Sequence, residues 1–182
     1  MGSEMCIRDS GRPPPITLKV IGGGLPAAAY GGSRELMERV APVGDVYQAG
    51  TLSGNPLAVA AGLTTLRLLN AAAYERIGEL TERLAAGMRG AIEAAGVSDR
   101  ASVATVPGLA TLFMAPQPPH DFDGARACDT GAYGTLCREL LERGVYAPPA
   151  QFEAWFVSLA HDEAAIDRSC EALAEALPIA LA

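Results

Sequence analysis

Residues 16–26 read ITLKVIGGGLP, and the fold is best approached from this stretch. Residues 16–21 are rich in β-branched side chains and lie between three prolines and three glycines, which predicts a short strand. A lone strand leaves its backbone N–H and C=O groups unpaired, and no partner strand is evident nearby. We therefore expect an α/β chain that forms the C-terminal part of a longer protein.

The composition limits the classes of function. The net charge of -7 at pH 7 argues against a nucleic-acid surface, which needs a basic patch. The chain is 49% hydrophobic, but no apolar run approaches the roughly 20 residues that a membrane helix needs. The four cysteines form no CxxC pair and lie far from the two histidines, so we expect reduced thiols in a cytoplasmic protein and no metal site.

Changes in pattern along the chain predict four segments. The first residues differ in composition from the Ala/Leu/Gly-rich remainder and lack the apolar region of a signal peptide, which indicates a foreign or artefactual leader. We expect this leader at 1–15, the end of a larger α/β domain at 16–70, a connecting helix at 71–96 and a small α+β domain at 97–182.

Hydrophobic periodicity predicts the elements of the later segments. An amphipathic helix is expected over about 73–95. Two strands should follow, and then one helix over about 125–143 that stops at Gly144. Short strands are expected at 145–146 and 155–159, and a last helix should begin near Asp162.

The chemistry of the first stretch centres on Lys19, the only lysine among the 14 lysine and arginine residues of the chain. A solvated lysine on a strand edge is the ordinary interpretation. However, apolar neighbours lower the pKa of a lysine, and a lysine amine, unlike a guanidinium, condenses with a carbonyl to give a Schiff base. A reactive amine at position 19 is therefore the alternative interpretation.

The glycines after the lysine allow a different hypothesis. Gly22-x-Gly24-x-x-Ala27 after a strand matches the dinucleotide-binding pattern GxGxxG/A. That pattern needs a helix that begins within it and faces the pyrophosphate, and Pro26 could open one. Gly31-Gly32 would end such a helix after about one turn, which weakens this hypothesis.

A second candidate site lies in residues 50–56, GTLSGNP. Asn55 and Pro56 are typical of the first residues of a helix, and this cap alone could explain the motif. Gly50 and Thr51 are not needed for a cap, but they would supply backbone N–H groups and a hydroxyl to a phosphate. A reactive lysine together with a phosphate-binding loop indicates pyridoxal phosphate (PLP) as the cofactor.

Three motifs carry a resemblance to a known family. LKVIGGGLPAAAYGG at 18–32, VYQAGTLSGNPLAVAAG at 46–62 and ERGVYAPPAQFEAWFVSLAH at 142–161 resemble glutamate-1-semialdehyde 2,1-aminomutase, a member of the class III aminotransferase group. The resemblance runs in order from about residue 18 to 165. It implies the C-terminal part of a fold-type I PLP-dependent transferase, which works as a cytoplasmic homodimer.

The resemblance also implies roles for individual residues. Lys19 would be the Schiff-base lysine and the general base. Gly50 and Thr51 would bind the cofactor phosphate across the dimer interface. Glu153 would be a polar group on the substrate side of the site, and a surface glutamate in a loop is its alternative interpretation.

The reaction implied is the conversion of glutamate 1-semialdehyde to 5-aminolevulinate in tetrapyrrole (porphyrin) biosynthesis. The family's remaining cofactor residues lie upstream of the lysine, so we expect this chain to be inactive alone. The alternatives are another class III aminotransferase that uses an external amino acceptor, or a non-catalytic or dinucleotide-binding module.

Overall fold

The computed structural model describes residues 16–18 and 20–182, with side chains from residue 21 onward. The predictions for Lys19 and for the leader at 1–15 therefore lie outside the described residues. The described chain forms two compact units, which divide between Asn70 and Ala71.

In the first unit, strand β1 (Ile16–Leu18) pairs antiparallel with strand β2 (Ala29–Gly31). The expectation of a strand that extends to residue 21 and has no partner is therefore wrong. The strand stops early because Val20–Gly22 form a 3₁₀ turn, and the glycines that follow take positive φ values, which side chains disfavour. The reversal of direction at these glycines brings β2 alongside β1.

The described part of the first unit also contains two helices, α1 (Arg34–Met37) and α2 (Pro56–Leu68). The start of α2 agrees with the prediction, because the Asn55 Oδ1 accepts hydrogen bonds from two backbone N–H groups of the first turn, at 3.1 Å each. The 3₁₀ turn packs on α2. A Cβ on Gly62 would lie 3.0 Å from the carbonyl oxygen of Ile21, so this contact favours glycine.

The second unit is built on an antiparallel sheet of three strands in the order β3 (Ser102–Val106), β4 (Leu109–Phe113) and β5 (Trp155–Phe156). Gly108, with φ of +89°, makes the tight turn between the first two strands. Helix α3 (Ala71–Ala94) packs on β3, so the predicted connecting helix belongs to this unit.

Three further helices complete the second unit: α4 (Phe122–Ala127), α5 (Thr130–Glu142) and α6 (Glu163–Ala180). The single helix expected over 125–143 is wrong, because Cys128 is extended and Asp129 starts a new helix by accepting the Ala132 N–H at 2.9 Å. Residues 145–146 form no strand, and β5 is shorter than expected.

The core of the second unit lies between its sheet and its long helices. Helix α6 packs against both α3 and α5, and α3 covers the sheet. The largest fully buried apolar side chains are Leu80, Met88, Leu112, Tyr133, Leu136, Leu140, Leu173 and Leu177. Among the described residues no single helix is long and apolar enough to cross a membrane, although α2 and α3 meet that criterion when taken together as a bent pair.

Candidate functional site

An open cleft of about 630 Å³ lies in the first unit, beside the start of α2. Its wall combines the residues that lead into β2 with the loop that precedes α2. The lining residues are Leu25, Pro26, Ala27, Ala28, Ala29, Tyr30, Gln48, Gly50, Leu52, Ser53, Gly54, Asn55, Ala58 and Val59. The wall is therefore mainly apolar, with polar groups concentrated in the loop.

The loop is shaped by its own short hydrogen bonds. The Ser53 N–H donates to the Gly50 carbonyl at 2.9 Å, and the Asn55 N–H donates to the Leu52 carbonyl at 3.1 Å. A Cβ on Gly50 would lie 2.9 Å from the Ser53 Oγ, and Gly54 has a φ of +72°. The positive φ of Gly54 favours glycine independently of any ligand, whereas a side chain at position 50 would require only the exposed Ser53 hydroxyl to move.

This geometry leaves donors for a ligand. Among the described residues, the backbone N–H groups of Gly50, Thr51, Leu52 and Gly54 take part in no hydrogen bond. The first two N–H groups inside α2 are already bonded to the Asn55 side chain. An anion at this helix N-terminus would therefore be held by the loop amides, with the helix dipole adding to the attraction.

The two predicted phosphate-binding residues differ in position. Gly50 is part of the cleft wall, whereas Thr51 is exposed and is not among the lining residues. The backbone of Thr51 still lies between two lining residues, Gly50 and Leu52. The chemistry of this loop fits a phosphate group, because it presents unbonded N–H groups and an exposed hydroxyl.

The dinucleotide hypothesis is contradicted in this region. No helix begins at Pro26 in the described part of the chain; residues 25–26 form a bend, and β2 follows. A Cβ on Gly22 would lie 2.9 Å from the backbone nitrogen of Ala27, which shows how tightly the chain turns back. Without a helix N-terminus in the pattern, the pyrophosphate would have no binding site there.

The predicted substrate-side residue, Glu153, lies in the second unit and is not among the residues that line the cleft. Its side chain is exposed, in a turn that is closed by a 3.0 Å hydrogen bond from its N–H to the Ala150 carbonyl. The neighbouring Phe152 packs against Phe122, with ring centroids 5.9 Å apart. Glu153 is therefore accessible on an ordered turn.

A buried polar group that the sequence did not reveal is hydrogen-bonded to residues on both sides of this turn. Tyr133 donates its hydroxyl to the Pro148 carbonyl at 3.2 Å and accepts a hydrogen bond from the Trp155 Nε1 at 3.2 Å. Burial raises the pKa of the Tyr133 hydroxyl, with Glu153 adding a smaller effect in the same direction, so it stays protonated. Its role is that of a neutral donor.

Gln151 is a second buried polar residue that the sequence did not reveal, and it is only 2% exposed. In the structure Gln151, Trp155 and Val157 are buried, whereas Phe152, Glu153 and Phe156 are exposed. Because Glu153, two positions after Gln151, is exposed, the alternation typical of a strand begins only at Trp155, and no periodic pattern in the sequence identifies Gln151. No group of three or more His, Cys, Asp or Glu side chains with metal-binding geometry occurs among the residues that the structure describes.

The family model of the class III aminotransferases matches residues 6–177. The chain belongs to the class III aminotransferase family. The match includes residues 6–15, a part of the segment that we expected to be a foreign leader. Membership agrees with the fold class predicted from the sequence, the C-terminal part of a PLP-dependent transferase fold.

The relatives with high sequence identity carry a more specific name than the family. The chain is 49% identical over 162 residues to a glutamate-1-semialdehyde 2,1-aminomutase of Anaeromyxobacter sp. (strain Fw109-5), covering 88% of this chain and 37% of that protein. It is 52% identical over 155 residues to the protein of the same name from Desulforamulus reducens, covering 85% and 35%. The chain thus spans a little over one third of the length of these relatives.

A solved transaminase structure supports the same fold. A transaminase with PLP bound superimposes with a TM-score of 0.70 at 30% identity, over 90% of this chain and 37% of that one. The resemblance that we drew from three motifs is confirmed by these relatives and by the family match.

Proposed function

We propose that this chain is the C-terminal part of an enzyme that converts glutamate 1-semialdehyde to 5-aminolevulinate with PLP as cofactor. The observation that carries the proposal is the loop before α2, where four backbone N–H groups have no hydrogen-bond partner among the described residues, in a chain about 50% identical to aminomutases. The loop fits the phosphate of the cofactor.

When bound, PLP supplies an aldehyde that reacts with amines and a ring that accepts electrons from the substrate carbon. In the proposal, Gly50 and Thr51 hold its phosphate through the N–H groups and the hydroxyl of the loop. The amine of Lys19 binds the cofactor and moves a proton at its Nζ. Glu153 provides a carboxylate on the substrate side.

The proposed assembly is a cytoplasmic homodimer of the complete protein. In this arrangement Gly50 and Thr51 of one subunit bind the phosphate that is attached near Lys19 of the partner subunit. The 182-residue chain alone is expected to be inactive. Gel filtration and activity measurements on the chain and on the complete protein test both statements.

The first experiment concerns the lysine. The complete protein is mixed with PLP and reduced with borohydride, and the labelled peptide is identified by mass spectrometry. We expect the label on Lys19 and its absence in Lys19→Arg, which keeps the charge but cannot condense with the aldehyde. A label on any other residue of the wild-type protein contradicts the assignment.

The second experiment concerns the loop. Thr51→Val removes a hydroxyl that would bind a charged phosphate, so the affinity for PLP should fall roughly tenfold or more, as for hydrogen bonds to charged groups. Thr64→Val is the matched control, because the Thr64 hydroxyl donates to the Ala60 carbonyl within α2 and is remote from the loop in sequence. Equal losses in the two variants would count against a phosphate site.

A second candidate function is a transamination that uses an external amino acceptor, and the likeness to a transaminase with PLP bound favours keeping it. An aminomutase needs no co-substrate, whereas a transaminase stops after one turnover without a 2-oxo acid. Continued conversion of glutamate 1-semialdehyde in the absence of any 2-oxo acid therefore separates the two.

A further inference from the structure

The turn that carries Glu153 contains one buried residue, Gln151, next to exposed ones. Phe152 and Glu153 are exposed, whereas Gln151 is only 2% exposed. Its Oε1 accepts a hydrogen bond from the Met114 N–H at 3.4 Å, just after the end of β4. The Met114 carbonyl in turn accepts the Asp129 N–H at 3.2 Å, so Gln151 is attached to a fixed part of the backbone.

The two sides of the turn are also attached to the second unit. Before it, the Pro148 carbonyl accepts hydrogen bonds from the Tyr133 hydroxyl and the Cys137 thiol, both at 3.2 Å. After it, the Trp155 indole donates to the same Tyr133 hydroxyl, and Trp155 pairs with Ala110 in the sheet. Gln151 supplies the attachment within the turn itself, next to Glu153.

Packing alone does not explain a glutamine at this position. The Gln151 Nε2 is buried and has no acceptor among the described residues. A buried donor without a partner lowers stability, and an apolar side chain of similar shape would remove this donor but leave the buried Met114 N–H unpaired in its place. A methionine would fill the same space but could not accept the Met114 N–H.

We propose that Gln151 is a positioning residue that fixes the turn at residues 150–153 and thereby holds the Glu153 carboxylate in the orientation that the substrate requires. This inference rests on the proposed function and adds a residue to it. Gln151 acts through Glu153 and through the Met114 backbone, and it has no contact with substrate of its own. Small displacements of a positioned group are enough to slow catalysis strongly.

The test is a double-mutant cycle in the complete protein, with glutamate 1-semialdehyde as substrate. The variants are Gln151→Met, Glu153→Gln and the two combined, with Gln117→Met as the matched control because Gln117 is an exposed glutamine of the same unit. We expect Gln151→Met to lower kcat/KM about tenfold while its melting temperature changes little, because the substitution removes one unpaired buried donor, Nε2, and leaves another, the Met114 N–H. In the Glu153→Gln background the same substitution should lower kcat/KM less than about twofold, as for coupled residues.

Other outcomes overturn the inference in distinguishable ways. An equal loss in both backgrounds, or a loss that accompanies a lower melting temperature, indicates a general structural role for Gln151. If Glu153→Gln leaves kcat/KM unchanged in an active enzyme, the inference fails and the proposed function stands. If the wild-type protein neither turns over the substrate nor is labelled at Lys19, both fail.

A measurement on the wild-type protein covers the case in which Gln151→Met does not fold. Hydrogen exchange of the Met114 and Glu153 backbone amides should be slow if the side chain of Gln151 holds the turn in place. Rapid exchange of both amides, with slow exchange across the rest of β4, would show a mobile turn and overturn the inference.

Discussion

The two units differ in how they cover their apolar side chains. The second unit buries large residues completely, including Leu136 and Leu173 at 0% exposure. In the first unit, the only buried residues among those with described side chains are Gly22, Ala58 and Gly62, none larger than alanine. The second unit therefore has a hydrophobic core of its own, whereas in the described part of the first unit the buried residues are all small.

The exposed side chains of the first unit show what this difference means. Leu57, Leu63 and Leu68 of α2 are 72%, 48% and 65% exposed, and Tyr47 is 83% exposed. Apolar surface of this extent usually marks an interface. The candidate cofactor loop thus lies on the unit that needs additional protein to cover it, in agreement with the proposed dimer of a longer protein.

The largest expected effect compares a leucine from each unit. Leu136→Ala removes a fully buried side chain from the second unit and should lower its stability by roughly 2–5 kcal/mol. Leu57→Ala truncates an exposed side chain and should change the stability of the 182-residue chain by less than about 0.5 kcal/mol. Urea denaturation followed by circular dichroism measures both.

The same pair of variants in the complete protein sharpens the comparison. If a second subunit or an upstream segment covers α2, Leu57→Ala should there cost much more than in the isolated chain. If its effect stays below about 0.5 kcal/mol in both forms, α2 is a solvent-exposed helix and the interpretation of its surface is wrong.

A second effect concerns two glycines of α3. A Cβ on Gly87 would collide with the Cys170 thiol and lie 2.8 Å from its Cβ, whereas a Cβ on Gly90 would meet no atom within 4 Å. Gly87→Ala should therefore destabilise the second unit by about 1–3 kcal/mol. Gly90→Ala should stabilise it by about 0.5–1 kcal/mol, because alanine favours the helix. Thermal unfolding measures the two shifts, and shifts of the same sign would contradict the close packing of α3 on α6.

A third effect of about 1 kcal/mol tests whether the units unfold independently. Asp162 caps α6 through a 2.7 Å hydrogen bond to the Ala165 N–H, and Asn55 caps α2. Asp162→Ala should lower the temperature of the main unfolding transition, which reports the loss of the core of the second unit. Asn55→Ala should instead speed amide exchange in α2 and leave that transition in place. A lower main transition in both variants would show that the units unfold as one.

The comparison of the units also explains what the sequence could predict. Helices whose apolar residues pack inside the same unit, such as α3 and α6, follow from periodicity, because the pattern and the core are both local. Caps such as Asn55 and Asp162 follow from residue chemistry. The β1–β2 pairing was missed because a three-residue strand has too short a pattern, and the glycines that bring the strands together were weighed only as a chain break and as a weak match to a dinucleotide-binding motif.

The sequence predicted the parts of the candidate site whose residues are adjacent in the chain and have the right chemistry. Gly50 and Thr51 are adjacent, so a loop with free amides could be inferred from GTLSGNP. Gln151 was missed because its importance depends on Met114, 37 positions away, and no local pattern records such a contact. The break between α4 and α5 was missed because two interpretations of Asp129 compete. The periodicity of the apolar residues allows it inside one long helix, whereas its side chain is also suited to cap the start of a new helix.

The smallest expected effect is a pH dependence that belongs to the second unit alone. Arg83 of α3 binds Asp167 of α6 through two hydrogen bonds of 2.6 and 2.7 Å, and these hydrogen bonds hold the pKa of the carboxyl below its ordinary value of 3.8. Because the folded-state pKa is the lower one, this contribution to stability is complete above pH 3.8 and is lost as the pH falls further. Both side chains are partly exposed, so the effect is small.

The expected result is a melting temperature slightly higher for the wild type than for Asp167→Asn at neutral pH, with the difference vanishing as the pH falls below the lowered pKa of the carboxyl and the carboxyl is protonated. Asp99→Asn is the control, since Asp99 is an exposed carboxylate in the turn after α3 and forms no ion pair within the described residues. A difference for Asp167→Asn that persists or grows in acid would mean that the ion pair does not join α3 to α6. Since both residues belong to the second unit, the amide exchange of α2 should be the same in the wild type and in Asp167→Asn at every pH.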